Sequence, residues 1–286
     1  MKLLDRNFLI RAASGAAFVV IVVGATLFSP YTFLALMLAV MAGSMWEFHR
    51  LAVKAGLKPL KWFPIITGAL VLASVMSLNE WGWSGAGTAF SLAYTGYMFL
   101  ISLVVIIPLV PIIELYRKSE NPIANIGATY TSMLYIVLPL ALMTAISTIG
   151  GGYDGWRILY FLFILWANDI GAYIFGVMLG RHRLFERISP KKSWEGFFGG
   201  VAMAAGVAAL IGGVIVGQNI VLWIALGVVI AVTGLLGDLV ESMFKRAVGV
   251  KDSGSIMPGH GGFLDRFDAM FISAPFVFLF YFLSGL

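Results

Sequence analysis

Apolar runs of about twenty residues recur from one end of this sequence to the other, and no other feature restricts its fold so tightly. A helix rises roughly 1.5 Å per residue and the hydrocarbon core of a bilayer is roughly 30 Å thick, so about twenty residues cross it once. Nine such runs stand out: 7–28, 31–48, 62–78, 90–113, 129–148, 156–179, 196–217, 220–240 and 267–285. The second and third are short enough to tilt, re-enter or lie partly in the interface. Uninterrupted runs exclude a β-barrel, whose strands alternate apolar and polar side chains. With 60% of its 286 residues hydrophobic and only 12% charged, the chain is too apolar for a water-soluble domain. The expectation is an all-α, polytopic integral membrane protein of about nine transmembrane helices.

The bases give the direction. With the N-terminus cytoplasmic, the inner segments hold Lys2, Arg6 and Arg11, then Arg50, Lys54, Lys58 and Lys61. Arg117 and Lys118 follow, then Arg181, Arg183, Arg187, Lys191 and Lys192, and last Lys245, Arg246, Lys251 and Arg266. Of the 19 Lys and Arg, Arg157 alone falls outside. That asymmetry obeys the positive-inside rule, and a miscounted span would destroy it. Much of the net charge of +5 is this bias, with some left for anionic lipid heads. No basic helix or aromatic–basic repeat points to nucleic acid. The absence of cysteine excludes disulfides and thiolate ligands. The basic lead and apolar core of residues 1–28 look like a signal peptide, but no small-x-small cleavage site follows, so an uncleaved first span is expected.

No repeat at a fixed period is visible, which weighs against the duplicated halves of many transporters. The chain reads as N-terminal spans over 1–150 and a C-terminal catalytic region over 151–286, whose cytoplasmic loops 180–195 and 241–266 are the longest polar stretches. Trp46, Trp62, Trp81, Trp83, Trp156 and Trp194 fall near span ends, as an aromatic belt requires. The small residues of GFFGG (196–200) and IGGVIVG (211–217) suit close helix packing more than a gap for a lipid tail.

Four constellations carry chemistry. Asn168 and Asp169 lie inside the sixth run, where an ionised carboxylate costs about 2.5–3.5 kcal/mol and has to face the bundle interior. Tyr173 shares that face. In RISPKKSWEG, Ser189 followed by Pro190 reads as an N-cap and first helical position, with Lys191, Lys192 and Ser193 adding donors for a phosphate. In LLGDLVESMFKR, Asp238, Glu241, Ser242 and Lys245 share one helical face at the membrane boundary. In PGHGGFLDRFD the glycines let backbone approach a ligand, and Asp265 and Asp268, three apart, can share a divalent cation. His260 suits a donor to phosphate better than a metal ligand. Carboxylates for metal beside bases and amides for phosphate, all on the inner face, indicate phosphoryl or nucleotidyl transfer at the membrane surface.

The stretch SMFKRAVGVKDSGSIMPGHGGFLDRFD, 242–268, resembles the signature of the phosphatidate cytidylyltransferases, also called CDP-diacylglycerol synthases. The matching positions are Ser242, Lys245, Arg246, Lys251, Asp252, Gly254, Pro258, His260, Gly261, Gly262, Asp265, Arg266 and Asp268; Met257 departs by a volume-tolerant apolar exchange. WANDIGAYIFG and SPKKSWEG extend the likeness upstream, while the first 150 residues match only as apolar helices. The resemblance implies an all-helical enzyme of the bacterial inner membrane that converts CTP and phosphatidate to CDP-diacylglycerol and pyrophosphate. It also implies Mg²⁺, an optional second cation such as K⁺, a homodimer, and a polar cavity open to the cytoplasm and laterally to lipid. On that reading Asp265, with Asp238 or Asp268, holds Mg²⁺, and Lys245, Arg246 and Arg266 neutralise phosphates. Ser189, Lys191, Lys192 and Ser193 bind CTP, Asn168 and Asp169 hold the metal or position the nucleotide, and Lys251 and His260 complete the set. No residue is assigned to cytosine. Two other readings remain at this point. A CDP-alcohol phosphotransferase needs four aspartates in one longer run, which is missing here; a cation-coupled transporter using Asp169 leaves PGHGG unexplained.

Overall fold

A computed structural model of the chain describes residues 6–80, 104, 106–254 and 261–285, with side chains from Ala13 except at 77–80. The described chain is almost wholly helical. The helices are α1 (Arg6–Phe28), α2 (Pro30–Lys54), α3 (Trp62–Glu80), α4 (Pro122–Ile146), α5 (Gly155–Leu179), α6 (Trp194–Val216), α7 (Ile220–Ala247) and α8 (Leu264–Ser284). Residues 106–117 are helical too. Between α5 and α6 lies an antiparallel hairpin, β1 (Arg183–Phe185) and β2 (Ser189–Ser193), with Arg183 opposite Ser193 and Phe185 opposite Ser189.

Among the described residues six helices, α2 and α4 to α8, are long and apolar enough to cross a membrane. Ala13–Phe28 and Trp62–Met76 are shorter apolar helical stretches, and the expected span 90–113 lies largely outside the described residues. The expected span 129–148 starts earlier, at Pro122, whose fixed φ suits a first helical position. Within α4, Met133–Val137 widens into a π turn. Pro139, which has no N–H to offer the carbonyl four residues back, follows directly.

The chain divides into two compact units, Met1–Gly155 with Ala247–Phe267, and Trp156–Arg246 with Asp268–Leu286. In the first unit α2 packs along α1 and α3, and α3 along α4. Phe33, Met41, Leu72, Ile136, Leu140, Met143 and Ile146 are among its fully buried side chains. Ser29 and Thr32 cap each other at the start of α2, so the turn from α1 needs no longer loop. In the second unit α5 and α6 meet through small residues. A methyl on Gly171 would lie 2.6 Å from the Met203 side chain and 2.7 Å from the Gly199 carbonyl. One on Gly200 would lie 2.6 Å from Asn168 Oδ1, so the glycines of GFFGG serve close packing. Large apolar side chains such as Val20, Leu70, Val177 and Leu283 remain exposed on the helices. In lipid they cost nothing, because lipid tails are as apolar as another helix; the association of these helices therefore rests on close fit and hydrogen bonds. The Thr233–Ser273 hydroxyl contact at 3.0 Å, between α7 and α8, is one such bond.

Candidate active site

The loop 180–195 departs from expectation first. Ser189 and Pro190 do not start a helix; they belong to β2, and α6 begins only at Trp194. Ser193 is the N-cap, extended at φ −124° and ψ 157°, with Oγ accepting from Gly196 N at 3.1 Å. The apolar run that gains from a helix starts at Trp194, so residues 189–193 are free to pair as a strand. Pro190, lacking an N–H, is tolerated in an edge strand. The first turn of α6 also carries an acid: Glu195 accepts from the amides of Arg181 and His182 and contacts His182 Nδ1 at 2.6 Å, which locks the hairpin base.

This hairpin presents its basic strand to a cavity of about 400 Å³ within the second unit. Asn168, Asp169 and Tyr173 of α5, Ser189, Lys191, Lys192 and Ser193 of β2, and Asp238 of α7 all line it. Residues expected to bind nucleotide and residues expected to hold metal thus come together. Lys192 Nζ lies 2.5 Å from Asp238 Oδ2, and Ser242 Oγ donates to Asp238 Oδ1 at 3.2 Å. Lys192 and Asp238 keep 24% and 41% of their side-chain exposure, so the pair adds only about 0–1 kcal/mol to stability. Its significance is placement. Asn168 is buried, and its amide reaches Asp169 Oδ1 at 3.5 Å, the outer limit of a hydrogen bond.

The rest of the α7 stripe is paired along the helix. Lys245 and Glu241, four residues apart and both buried, form an ion pair. Lys245 is therefore held in place by a carboxylate rather than waving in solvent; Arg246 is exposed. Gly237 brings α7 against α8, since a methyl there would lie 2.5 Å from the Asp268 carbonyl. Asp238, Asp169 and Lys245 are the charged groups that act on Asp268, whose Oδ1 accepts from Ala269 N at 2.7 Å.

A magnesium ion takes one or two carboxylates and completes six oxygens with water and phosphate. Asp169 and Asp238 on one roomy cavity wall, with Asp268 in electrostatic range, fit that donor set. Among the described residues no group of three or more acidic or histidine side chains is gathered for a metal, so an ion here would draw most of its shell from water and phosphate oxygens.

Asp265 belongs to the first unit. Its Oδ2 accepts from Ser253 N at 3.0 Å and Gly262 N at 2.8 Å, and Ser253 Oγ, whose single proton also faces Glu47, lies 2.9 Å away, which ties Ser253 to the residues just before α8. Gly261, at φ +85°, takes a backbone conformation that other residues avoid. Lys251 and Arg266 are exposed, and His260 lies outside the described residues. Sequence reasoning missed Glu47 of α2, a buried carboxylate that accepts from Phe263 N, Leu264 N and Ser253 Oγ. A lone acid in the apolar run 31–48 was the available signal.

A family model described as the cytidylyltransferase family matches residues 9–284. Among curated relatives, the phosphatidate cytidylyltransferase of Staphylococcus saprophyticus is 41% identical over 159 residues, covering 55% of this chain and 60% of that protein. The protein of the same name from Staphylococcus aureus strain COL is 43% identical over 161 residues, with the same coverage. That of Staphylococcus epidermidis strain RP62A is 48% identical over 125 residues, 43% of this chain and 48% of that protein. The chain thus spans about half to 60% of the length of the relatives it matches.

Proposed function

The chain belongs to the cytidylyltransferase family, and from that premise we propose that it transfers the cytidylyl group of CTP to phosphatidate, releasing CDP-diacylglycerol and pyrophosphate. The observation that carries this reading is the cavity where the basic strand Ser189–Ser193 meets Asp169 and Asp238. A site for two anions needs both cationic donors and a place for a counter-cation, and the lysines and aspartates lining this cavity support that reading. Neither a transporter nor a CDP-alcohol phosphotransferase is favoured by the family match.

In the proposed reaction an anionic oxygen of the phosphatidate phosphomonoester attacks the α-phosphorus of CTP. The bond from that phosphorus to the bridging oxygen of pyrophosphate breaks, and pyrophosphate departs with the electron pair. The nucleophile is already ionised, so no strong general base is required. What the protein supplies is positioning of two mutually repelling groups and withdrawal of charge from the leaving group. Lys191, Lys192, Ser189 and Ser193 bind the triphosphate; Asn168 orients the nucleotide from the buried side of the cavity. Lys245, Arg246 and Arg266 neutralise phosphate charge, Lys245 from its place against Glu241. Asp169, Asp238 and Asp268 are the carboxylates of the second unit that would hold Mg²⁺, Asp265 of the first unit is proposed as a metal ligand in its own right, and K⁺ is an optional second cation. Bound there, a divalent ion would neutralise phosphate oxygens and the developing pyrophosphate charge. His260 and Lys251 belong to the same reading as phosphate-side donors.

The protein is a membrane protein. We place its N-terminus and its catalytic face on the cytoplasmic side of the inner membrane, where the bases collect, and propose that it works as a homodimer. Purified protein incubated with radiolabelled CTP, phosphatidate and Mg²⁺ tests the activity. Labelled CDP-diacylglycerol and pyrophosphate in equal amounts are the expected products. Cation transport without nucleotide turnover would overturn the assignment.

A further inference from the structure

The segment that carries Asp265 is tied down by a residue far away in sequence. Glu47 sits in α2, in the stretch MWEFHR, and is 1% exposed. Its Oε1 accepts from Phe263 N at 3.0 Å, and its Oε2 from Leu264 N at 2.9 Å and Ser253 Oγ at 2.8 Å. One carboxylate therefore joins the start of the segment, at Ser253, to its end, where α8 begins. The first amides of a helix have no partner within the helix and carry its positive dipole end, so a buried acid is well matched to them. Gly254 and Gly262 leave no room for a methyl against the Glu47 carboxylate, so the backbone closes around it. Ser253 Oγ lies 2.8 Å from Glu47 Oε2 and 2.9 Å from Asp265 Oδ2, and its own amide also donates to Asp265. Glu47 and Asp265 are thus linked through a single serine.

We infer that Glu47 is a positioning residue for the reaction proposed above: it ties Ser253 to the start of α8 and, through Ser253, sets the seat of the Asp265 carboxylate. A buried charge is costly unless fully hydrogen-bonded, and this one takes both of its α8 bonds and the serine bond from the signature segment. Glu114 shows the contrast within the same unit. It too is buried, but it accepts from Arg117, Ser119 and Asn125, outside the signature segment. It braces residues 114–125 and touches nothing of the proposed chemistry.

The inference rests on the cytidylyltransferase reading, and the test separates the two. Glu47→Gln keeps shape and burial but turns an amide NH₂ towards groups that are themselves donors; Glu114→Gln serves as the control. Wild type and both variants are purified in detergent and compared for turnover, for KM towards CTP, and for hydrogen exchange at Phe263 and Leu264. Glu47→Gln should lower kcat about tenfold or more, with KM for CTP within about threefold, because Ser189, Lys191, Lys192 and Ser193, proposed to bind the triphosphate, sit on a strand of their own. Exchange at the two amides should quicken. Glu114→Gln should lower thermal stability and leave kcat within about threefold. Equal losses of kcat in both variants, in step with stability, would reduce Glu47 to a general brace and overturn the inference, as would unaltered exchange. Should Glu47→Gln fail to accumulate, Ser253→Ala removes the hydroxyl that joins Glu47 to Asp265 while sparing both α8 bonds and the backbone amide bond to Asp265; wild-type kcat in that variant would also overturn it. Failure of the wild-type protein itself to consume CTP would instead strike the activity assignment, with the exchange data still judging the anchor.

Discussion

Replacing Gly200 by alanine probes the contact on which the cavity wall is built. The added methyl would lie 2.6 Å from Asn168 Oδ1, 2.9 Å from the Asn168 carbonyl and 3.3 Å from the Ala172 methyl. The side-chain oxygen can rotate away; the carbonyl belongs to the backbone of α5 and cannot. α5 and α6 must therefore part until that contact reaches an ordinary 3.4 Å or more. Overpacking of this kind costs about 1–3 kcal/mol. Alanine also gains about 1 kcal/mol of helix propensity over glycine, which blurs the raw effect. Gly206, on the same helix with nothing within 4 Å of its missing methyl, takes the same gain without the clash. The comparison of Gly200→Ala with Gly206→Ala isolates the packing part, about 1–3 kcal/mol, or a factor of about 5 to 150 in the folding equilibrium. Unfolding of the two purified variants by titration with denaturing detergent reads that difference directly. Turnover should fall with Gly200→Ala alone, because the buried Asn168 amide is pushed out of place. Equal stability of the two variants would refute the claim that these helices touch too closely for a methyl.

Asp238→Asn removes the partner of Lys192 and Ser242 and one of the carboxylates offered to magnesium; kcat should drop about a hundredfold or more, and near-wild-type turnover by a folded variant would refute its role. Chelation of divalent ions should abolish cytidylyl transfer and added Mg²⁺ should restore it, measured as release of pyrophosphate. Glu114, just beyond the expected fourth span, predicts an acid effect: burial pushes its carboxyl up, but hydrogen bonds from Ser119, Asn125 and Arg117 outweigh burial and hold it below the ordinary glutamate value. A depressed folded value means its contribution is complete above an unfolded value of about 4.3 and fades as pH falls through the lower folded one. The stability deficit of Glu114→Gln should accordingly be largest near neutrality and shrink in acid, as followed by thermal melts across pH.

Much of this molecule is legible in its sequence, because a bilayer demands what periodicity and composition display. The apolar runs beginning at 156, 196 and 220 reappear as α5, α6 and α7 within a few residues, since no other structure satisfies the backbone in lipid. Asn168, Asp169, Lys192 and Asp238 were legible as polar groups with nowhere cheap to be. The hairpin was not. Ser189 followed by Pro190 carries a helix-start pattern, and only pairing with Arg183–Phe185, a tertiary fact, decides for a strand. Glu47 was hidden for a related reason: its partners are backbone amides more than two hundred residues away, and a backbone amide leaves no trace in an amino-acid pattern.

The tight contact between α5 and α6 also bears on how the two-tailed lipid proposed as substrate would arrive. Where Gly171 and Gly200 leave no space for one methyl group, an acyl chain, which is at least as wide, has no seam to slide through. On the proposed reading, diacylated molecules would reach the lysine strand past another flank of that cavity, with the close α5–α6 contact as its shut side.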